Sequence, residues 1–143
     1  TKLRAILQAL WLYKCKNLFM ANPEEVVTRF IEAIERRELD TAMDFVTEDC
    51  FYDNVPIGSM TGKAKMTEFL SGLLKGPGPV EFEVIRQASS GNTVMNERID
   101  RFTTGGGKKI ELQVMGVFEV ENDLIMFWRD YFDNGMFMKQ LKG

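Results

Sequence analysis

VEFEVIRQASSGNTVMNERIDRFTTGGGKKIELQVMGVFEVENDLIMFWRDYFD, residues 80–133, is a run of alternating side chains broken three times. The breaks fall at Ser89-Ser90-Gly91-Asn92, Gly105-Gly106-Gly107 and Glu121-Asn122-Asp123. Gly, Asn and Asp tolerate the left-handed backbone of tight hairpins, so the run predicts an antiparallel meander of about four strands. Alternate side chains of a strand share a face. Arg98 and Asp100 therefore point together, and Asp130 falls in the phase of Leu124, Met126, Trp128 and Phe132. A carboxylate aimed into an apolar wall is costly unless an Arg or hydrogen-bond donors meet it, and such a cluster is the usual mark of an active site. The opposite phase carries Met95, Ile99, Met115, Val117, Ile125, Phe127 and Tyr131. That is too apolar for a solvated face and predicts a second subunit there, most simply as a homodimer.

Upstream of this run the period is helical. Asn22-Pro23-Glu24-Glu25 reads as a helix start, with Asn as cap, Pro at the first helical position and acids at the positive end; Val26, Val27, Phe30, Ile31 and Ile34 follow as one stripe. A second short helix is expected after Asp40 (Ala42, Met43, Phe45, Val46), and a third from about Gly62 to Leu74, stopped by Gly76-Pro77-Gly78-Pro79. Tyr52-Asp53-Asn54 lies in a further strand, where Tyr52 and Asn54 share a face. A last helix is expected from Asn134 to about Leu141. Helices first and hairpin-linked strands afterwards define an α+β class, with helices on one face of a curved sheet that can wrap a cavity.

The chain has 143 residues, 45% of them hydrophobic, enough for one domain with a core. Eighteen basic residues against 21 acidic give a net charge of -3, so no basic footprint marks a nucleic-acid partner. With no histidine, Ser-His-Asp and Cys-His catalysis are excluded together with His-ligated metal sites, and acid–base work falls to carboxylates, Tyr, Lys or Cys. The two cysteines, Cys15 and Cys50, have no metal or redox spacing; reduced thiols in a cytoplasmic protein are expected, and no metal site.

Residues 1–21 differ from the domain that follows over 22–143. They hold Lys2, Arg4, Lys14 and Lys16 and no acid, leaving 14 basic and 21 acidic residues in the rest. Leu3, Ile6, Leu7, Leu10 and Trp11 have the spacing of an amphipathic helix. A helix packed on the domain or on a partner subunit is the favoured reading. A signal peptide or cloning extension, with its end near Met20-Ala21, is the other. The apolar run is too short for a membrane span.

Four strings resemble the limonene-1,2-epoxide hydrolase family in type and order: Tyr52, Asn54 and Pro56; Glu97-Arg98 with Asp100; Gly116-Val117-Phe118; and Trp128-Arg129-Asp130-Tyr131-Phe132-Asp133. The family is a branch of the cone-shaped α+β superfamily that includes nuclear transport factor 2, ketosteroid isomerases and SnoaL-like cyclases. The resemblance spans roughly residues 22 to 137, and it is the ordered set that makes it specific. It implies a curved, mixed but mostly antiparallel sheet with helices on its concave face around a cone-shaped pocket. It implies Asp100 as the acid that protonates an epoxide oxygen, Asp130 as the base that deprotonates water, Arg98 between them, and Tyr52 and Asn54 holding the water. The implied pocket wall includes Phe102, Leu112, Val114, Phe132 and Phe137, with Trp128 as a further substrate-binding candidate. A homodimer and the lack of any cofactor are implied as well.

The chemistry stands without the family. Opening an epoxide needs one acid and one base together, and two carboxylates divide those roles if their surroundings separate their proton affinities. A guanidinium fork can bond both carboxylates at once, which Lys cannot do. Alone, Arg98 and Asp100 would be an ordinary strand ion pair, and Trp128 and Phe132 ordinary core. Glu97 and Asp133 fall in the opposite phases and read as solvated or interface charges; Arg101 needs a partner or solvent on the outer face; Lys108-Lys109 reads as the exposed edge of a turn. Two other functional classes remain open: an isomerase or cyclase of the same superfamily, and a non-catalytic binder of hydrophobic ligands. Neither needs a held water beside opposed carboxylates.

Overall fold

The computed structural model describes the backbone of residues 2–19 and 21–143 and the side chains of residues 2–13 and 21–143. Its elements run α1 (Lys2–Phe19), α2 (Pro23–Glu35), α3 (Leu39–Met43), β1 (Val46–Asn54), β2 (Gly58–Thr61), α4 (Lys63–Leu73), β3 (Glu81–Ser90), β4 (Thr93–Thr103), β5 (Lys109–Glu121), β6 (Leu124–Tyr131) and α5 (Asn134–Lys142). The six strands form one curved, unclosed sheet in the order β2-β1-β6-β5-β4-β3. Strands β3 to β6 are the expected meander, while β1 pairs parallel to β6 and antiparallel to β2.

Local signals set the helix ends. Asn22 Oδ1 accepts the Glu24 N–H at 3.1 Å with Pro23 beside it, and α2 then buries Val26, Val27, Phe30, Ile31, Ala33 and Ile34. The Gly76–Gly78 stop after α4 is tied back to the end of α2 by Arg37, whose guanidinium donates to the carbonyls of Leu74, Gly76 and Gly78. The second helix is shorter than expected. Phe45 and Val46 leave it because the Phe45 carbonyl accepts the Ile125 N–H at 2.7 Å and Val46 opens β1 against Ile125. The short strand β2, returning on β1 after Val55-Pro56-Ile57, is an element the alternation did not suggest.

Strand β6 corrects a predicted phase. Val120 pairs with Ile125 but Glu119 pairs with Phe127, so Met126 is the extra residue of a β-bulge. Ile125 is consequently buried in the core and Met126 exposed, the reverse of the simple alternation, whereas Trp128 and Asp130 point inward as expected. Beside its charged groups the outer face presents the apolar side chains expected there: Ile85, Met95, Met115 and Tyr131 are exposed.

The core lies between α2 and the sheet. Phe30 meets Trp128 edge-on at 5.3 Å, and the Trp128 ring stacks on Phe118 at 5.5 Å and on Tyr52 at 4.1 Å. At the amino end the expected helix forms, but every described side chain of α1, Leu3, Ile6, Leu7, Leu10 and Trp11 included, is exposed. That face is therefore not packed on the domain. Lys14, Lys16 and Met20, named in the reading of this segment, and Cys15, named with Cys50, lie outside the described side chains. Among the described residues no helix is long and apolar enough to cross a membrane.

Candidate active site

Strand β4 turns Asn96, Arg98 and Asp100 inward, β6 turns Trp128 and Asp130, and β1 turns Tyr52 and Asn54; all seven are buried. Register brings them together. Asn54 lies opposite Asp130 and Tyr52 opposite Trp128 across the parallel pair, while Gly116 of β5 lies between Asn96 and Asp130. Arg98 occupies the centre with its side chain wholly inaccessible. Its Nε and Nη2 donate to the two oxygens of Asp100 at 3.0 Å each, Nη2 also donates to Asp130 Oδ2 at 2.8 Å, and Nη1 donates to Asn96 Oδ1 at 2.8 Å. The guanidinium carbon Cζ stands 5.6 Å from the Phe82 ring centre.

Two features seat this arginine. A Cβ on Gly116 would lie 2.2 Å from Arg98 Nη1, 2.8 Å from Asn96 Oδ1 and 2.9 Å from Asp130 Oδ1, so the bare glycine is what leaves room for the guanidinium. The second is a chain of side-chain amides. Gln87 Nε2 donates to the Thr28 hydroxyl and the Glu24 carbonyl of α2, Gln87 Oε1 accepts from Asn96 Nδ2 at 3.1 Å, and the Asn96 oxygen is thereby turned toward Arg98. Sequence reasoning missed Asn96, Gln87 and the role of Gly116. Asn96 shares the inward phase of Arg98 and Asp100, a signal that was available.

Burial governs the electrostatics. It pushes the Asp130 carboxyl up from its ordinary 3.8 to about 6; Arg98 pulls against this, Asp100 adds to it, and the Trp128 N–H opposes it. Burial followed by the Asp130 charge raises Tyr52 well above an ordinary phenol, so it stays neutral and can donate. For Arg98 burial works to discharge the group, but the charges of Asp130 and Asp100 more than offset it and the guanidinium stays charged. Burial, with the Asp49 charge, lifts the Cys50 thiol to about 12, which leaves it an unreactive core residue. Among the described residues no group of three or more Cys, Asp or Glu is arranged to hold a metal ion.

Above the cluster opens an apolar cavity of about 460 Å³, lined at its polar end by Tyr52, Asn54, Asp100 and Asp130. Phe102, Leu112, Val114, Phe132 and Phe137, all predicted wall residues, line it; the last two meet edge-on at 6.0 Å. Helix α4 adds Phe69 and Leu73, and β3 adds Phe82. Trp128 is the exception among the predicted residues. It lies behind the cavity in the core, not on its wall, because Tyr52 stacks over it, and it reaches the site only through an Nε1–H that donates to Asp130 Oδ1 at 2.8 Å. Asp133 differs too: it caps α5 through the Met136 N–H at 3.0 Å. Arg101 has its partners on the outer face, Glu81, Glu83 and Glu111.

Comparison with known proteins identifies the family of the chain. The model of the limonene-1,2-epoxide hydrolase catalytic domain matches residues 21–142. The chain belongs to the limonene-1,2-epoxide hydrolase family. It is similar to epoxide hydrolase EphG of Mycobacterium tuberculosis, with 32% identity over 118 residues, 82% of this chain and 78% of that one. A solved structure of an M. tuberculosis LEH-like epoxide hydrolase superposes with a TM-score of 0.72 at 31% identity, covering 83% of this chain and 89% of the other. More distant likeness shows the wider fold: a SnoaL-like polyketide cyclase of Shewanella putrefaciens CN-32, described as putative, has a TM-score of 0.75 at 17% identity, covering 86% and 98% of the two chains. An epoxide hydrolase family implies a small-molecule epoxide and water as substrates.

Proposed function

We propose that this protein hydrolyses a small hydrophobic epoxide, cyclic or terpenoid-like, to a vicinal diol in one step by general acid and base catalysis. The observation that carries the reading is that Asp100 and Asp130 meet on one buried guanidinium at the polar end of an apolar cavity. Asp130 takes a proton from a water held with Tyr52 and Asn54, and the hydroxide equivalent attacks an epoxide carbon. The C–O bond breaks as Asp100 passes its proton to the departing oxygen. The proton balance has then moved from Asp100 to Asp130, and Arg98, bonded to both, holds the pair through the exchange. Phe102, Leu112, Val114, Phe132 and Phe137 supply apolar contact for the rest of the substrate.

The reaction needs no cofactor on this reading. An ester on Asp130 is disfavoured because no histidine is present to activate water for its hydrolysis. A single turnover with excess enzyme in oxygen-18 water should label the diol and leave the protein carboxylates unlabelled. Unlabelled diol, or an ester mass on Asp130, would assign that carboxylate to attack on carbon. No diol from any of a panel of cyclic and terpenoid epoxides would return the isomerase, cyclase and binder readings to the front. The working unit is a homodimer joined through Met95, Met115 and Tyr131 of the outer face, which sedimentation at micromolar concentration would test; a 16.4 kDa species alone would contradict it. Its placement is cytoplasmic, in keeping with the absence of a disulfide motif, and cell fractionation addresses it.

A further inference from the structure

Trp128 stands two residues before Asp130 on the same inward face of β6, and its Nε1–H donates to Asp130 Oδ1 at 2.8 Å. Packing aims this donor. The indole is 1% exposed, stacked with Tyr52 of β1 and Phe118 of β5, the two strands that flank β6, and met edge-on by Phe30 of α2. Asp130 Oδ2 meanwhile accepts from Arg98 Nη2. With one donor on each oxygen, the otherwise soft terminal torsion of the carboxylate is held.

Arg98 cannot by itself choose between the two carboxylates in the direction the reaction needs. It gives Asp100 two donors and Asp130 only a share of one, which favours negative charge on Asp100. One positive charge between two buried carboxylates is neutralised when the set holds one extra proton, so where that proton sits decides which group is acid and which is base. The indole belongs to Asp130 alone. An indole N–H donates and does not accept, so it favours the ionised form of the oxygen it meets.

We propose that Trp128 is a positioning residue whose indole N–H keeps Asp130 the ionised member of the pair and so directs the shared proton to Asp100. The roles rest on the epoxide hydrolase reading above, whereas the effect on Asp130 does not. The other titratable or charged groups that bear on Asp130 are Arg98 and Asp100 of β4, the neutral Tyr52 of β1, and Glu68 of α4, which is exposed on the cavity rim. Gly116 and Phe118 of β5 bring no charge, and Arg129 pairs with Asp53 on the opposite face of the sheet. Burial, which pushes Asp130 up, is the effect the indole donor opposes.

Replacing Trp128 by β-(3-benzothienyl)alanine in a Trp11→Phe background puts sulfur where the N–H was and keeps the bicyclic ring; Trp128→Phe is the simpler companion. The ionisation of Asp130 is read without substrate, by infrared titration of carbon-13-labelled aspartate with Asp130→Asn identifying the band. The pH dependence of kcat is read alongside. With the analogue, the Asp130 titration and the acid limb should both move up by about one to two pH units. Turnover near pH 6 should fall about tenfold and recover as pH rises, with KM little changed. An unchanged Asp130 titration in the analogue would overturn the proposal and leave Trp128 a packing residue, whatever happens to the Phe variant. A shifted titration in a protein that makes no diol would instead uphold the hold of Trp128 on Asp130 and defeat the hydrolase reading.

Discussion

Two arginines three residues apart on β4 each collect several carboxylates, and they do so on opposite faces of the sheet. Arg98 looks inward to Asp100 and Asp130 with no accessible side-chain surface; Arg101 looks outward to Glu81, Glu83 and Glu111 with about a third of its side chain accessible. Both keep their charge. The difference lies in what surrounds the carboxylates. On the outer face water and ions screen the pairs, so their net contribution is small. On the inner face the same charges are desolvated, Asp130 is pushed up to about 6, and losing one member leaves the others uncompensated. Strand alternation thus leaves one ion cluster in solvent and encloses the other at the polar end of a cavity.

The largest expected effect breaks the inner cluster. Asp100→Asn, Asp130→Asn and Arg98→Lys should each lower kcat at least about 100-fold, the scale of acid–base groups, with circular dichroism verifying that the fold persists. Near wild-type turnover in any one would remove that residue from the mechanism. Gly116→Ala should be nearly as severe, because its methyl would stand 2.2 Å from Arg98 Nη1. Either the arginine shifts and activity falls by at least about tenfold, or β5 yields and the melting temperature drops. A variant with both intact would show that the cluster is looser than its distances imply.

A smaller effect sharpens the comparison through pH. A base raised to about 6 is ionised above that value and protonated below it, so kcat should decline as pH falls through about 6, far from the 3.8 of an exposed aspartate. A rate flat down to pH 4.5 would mean that a different group, or none, limits the acid side. The smallest effect is the outer control. Arg101→Ala should change kcat by less than about twofold and produce a melting shift that shrinks as salt is raised. A large loss of turnover there would show that the two faces are not independent.

Much of the fold was legible from alternation and turn chemistry: the meander, its three hairpins, the Asn22 cap and the stop at Gly76–Gly78 all follow from local rules. Phase within each strand paired Tyr52 with Asn54 and Arg98 with Asp100 and put Asp130 among apolar neighbours, whereas the joining of the five into one set came from the resemblance. What escaped depends on neighbours. The bulge at Met126 comes from how β6 meets β5 and β1, so the alternation before it read Ile125 and Met126 the wrong way round. Strand β2 is four residues long and has no buried residue to announce it. Trp128 has the right phase for a pocket wall, but Tyr52 of the adjacent strand covers it, and only the tilt of its ring reveals the bond to Asp130. Gly116 looks like a weak strand residue until three polar atoms are found in the space a Cβ would take.

That empty space at Gly116 has a consequence for what the chain could become. A mid-strand glycine weakens its strand, by roughly 0.5–1 kcal/mol relative to alanine where such costs have been measured, and a buried ion set is often less stabilising than apolar residues of similar volume. The protein therefore carries a standing deficit at a buried site where apolar packing would otherwise stabilise it. A scaffold with Gly116, Arg98, Asp100 and Asp130 jointly replaced by well-packed aliphatic side chains should melt higher than the natural chain while doing no chemistry. Selection for thermal endurance alone would accordingly erase this site first, and its presence records a demand other than stability.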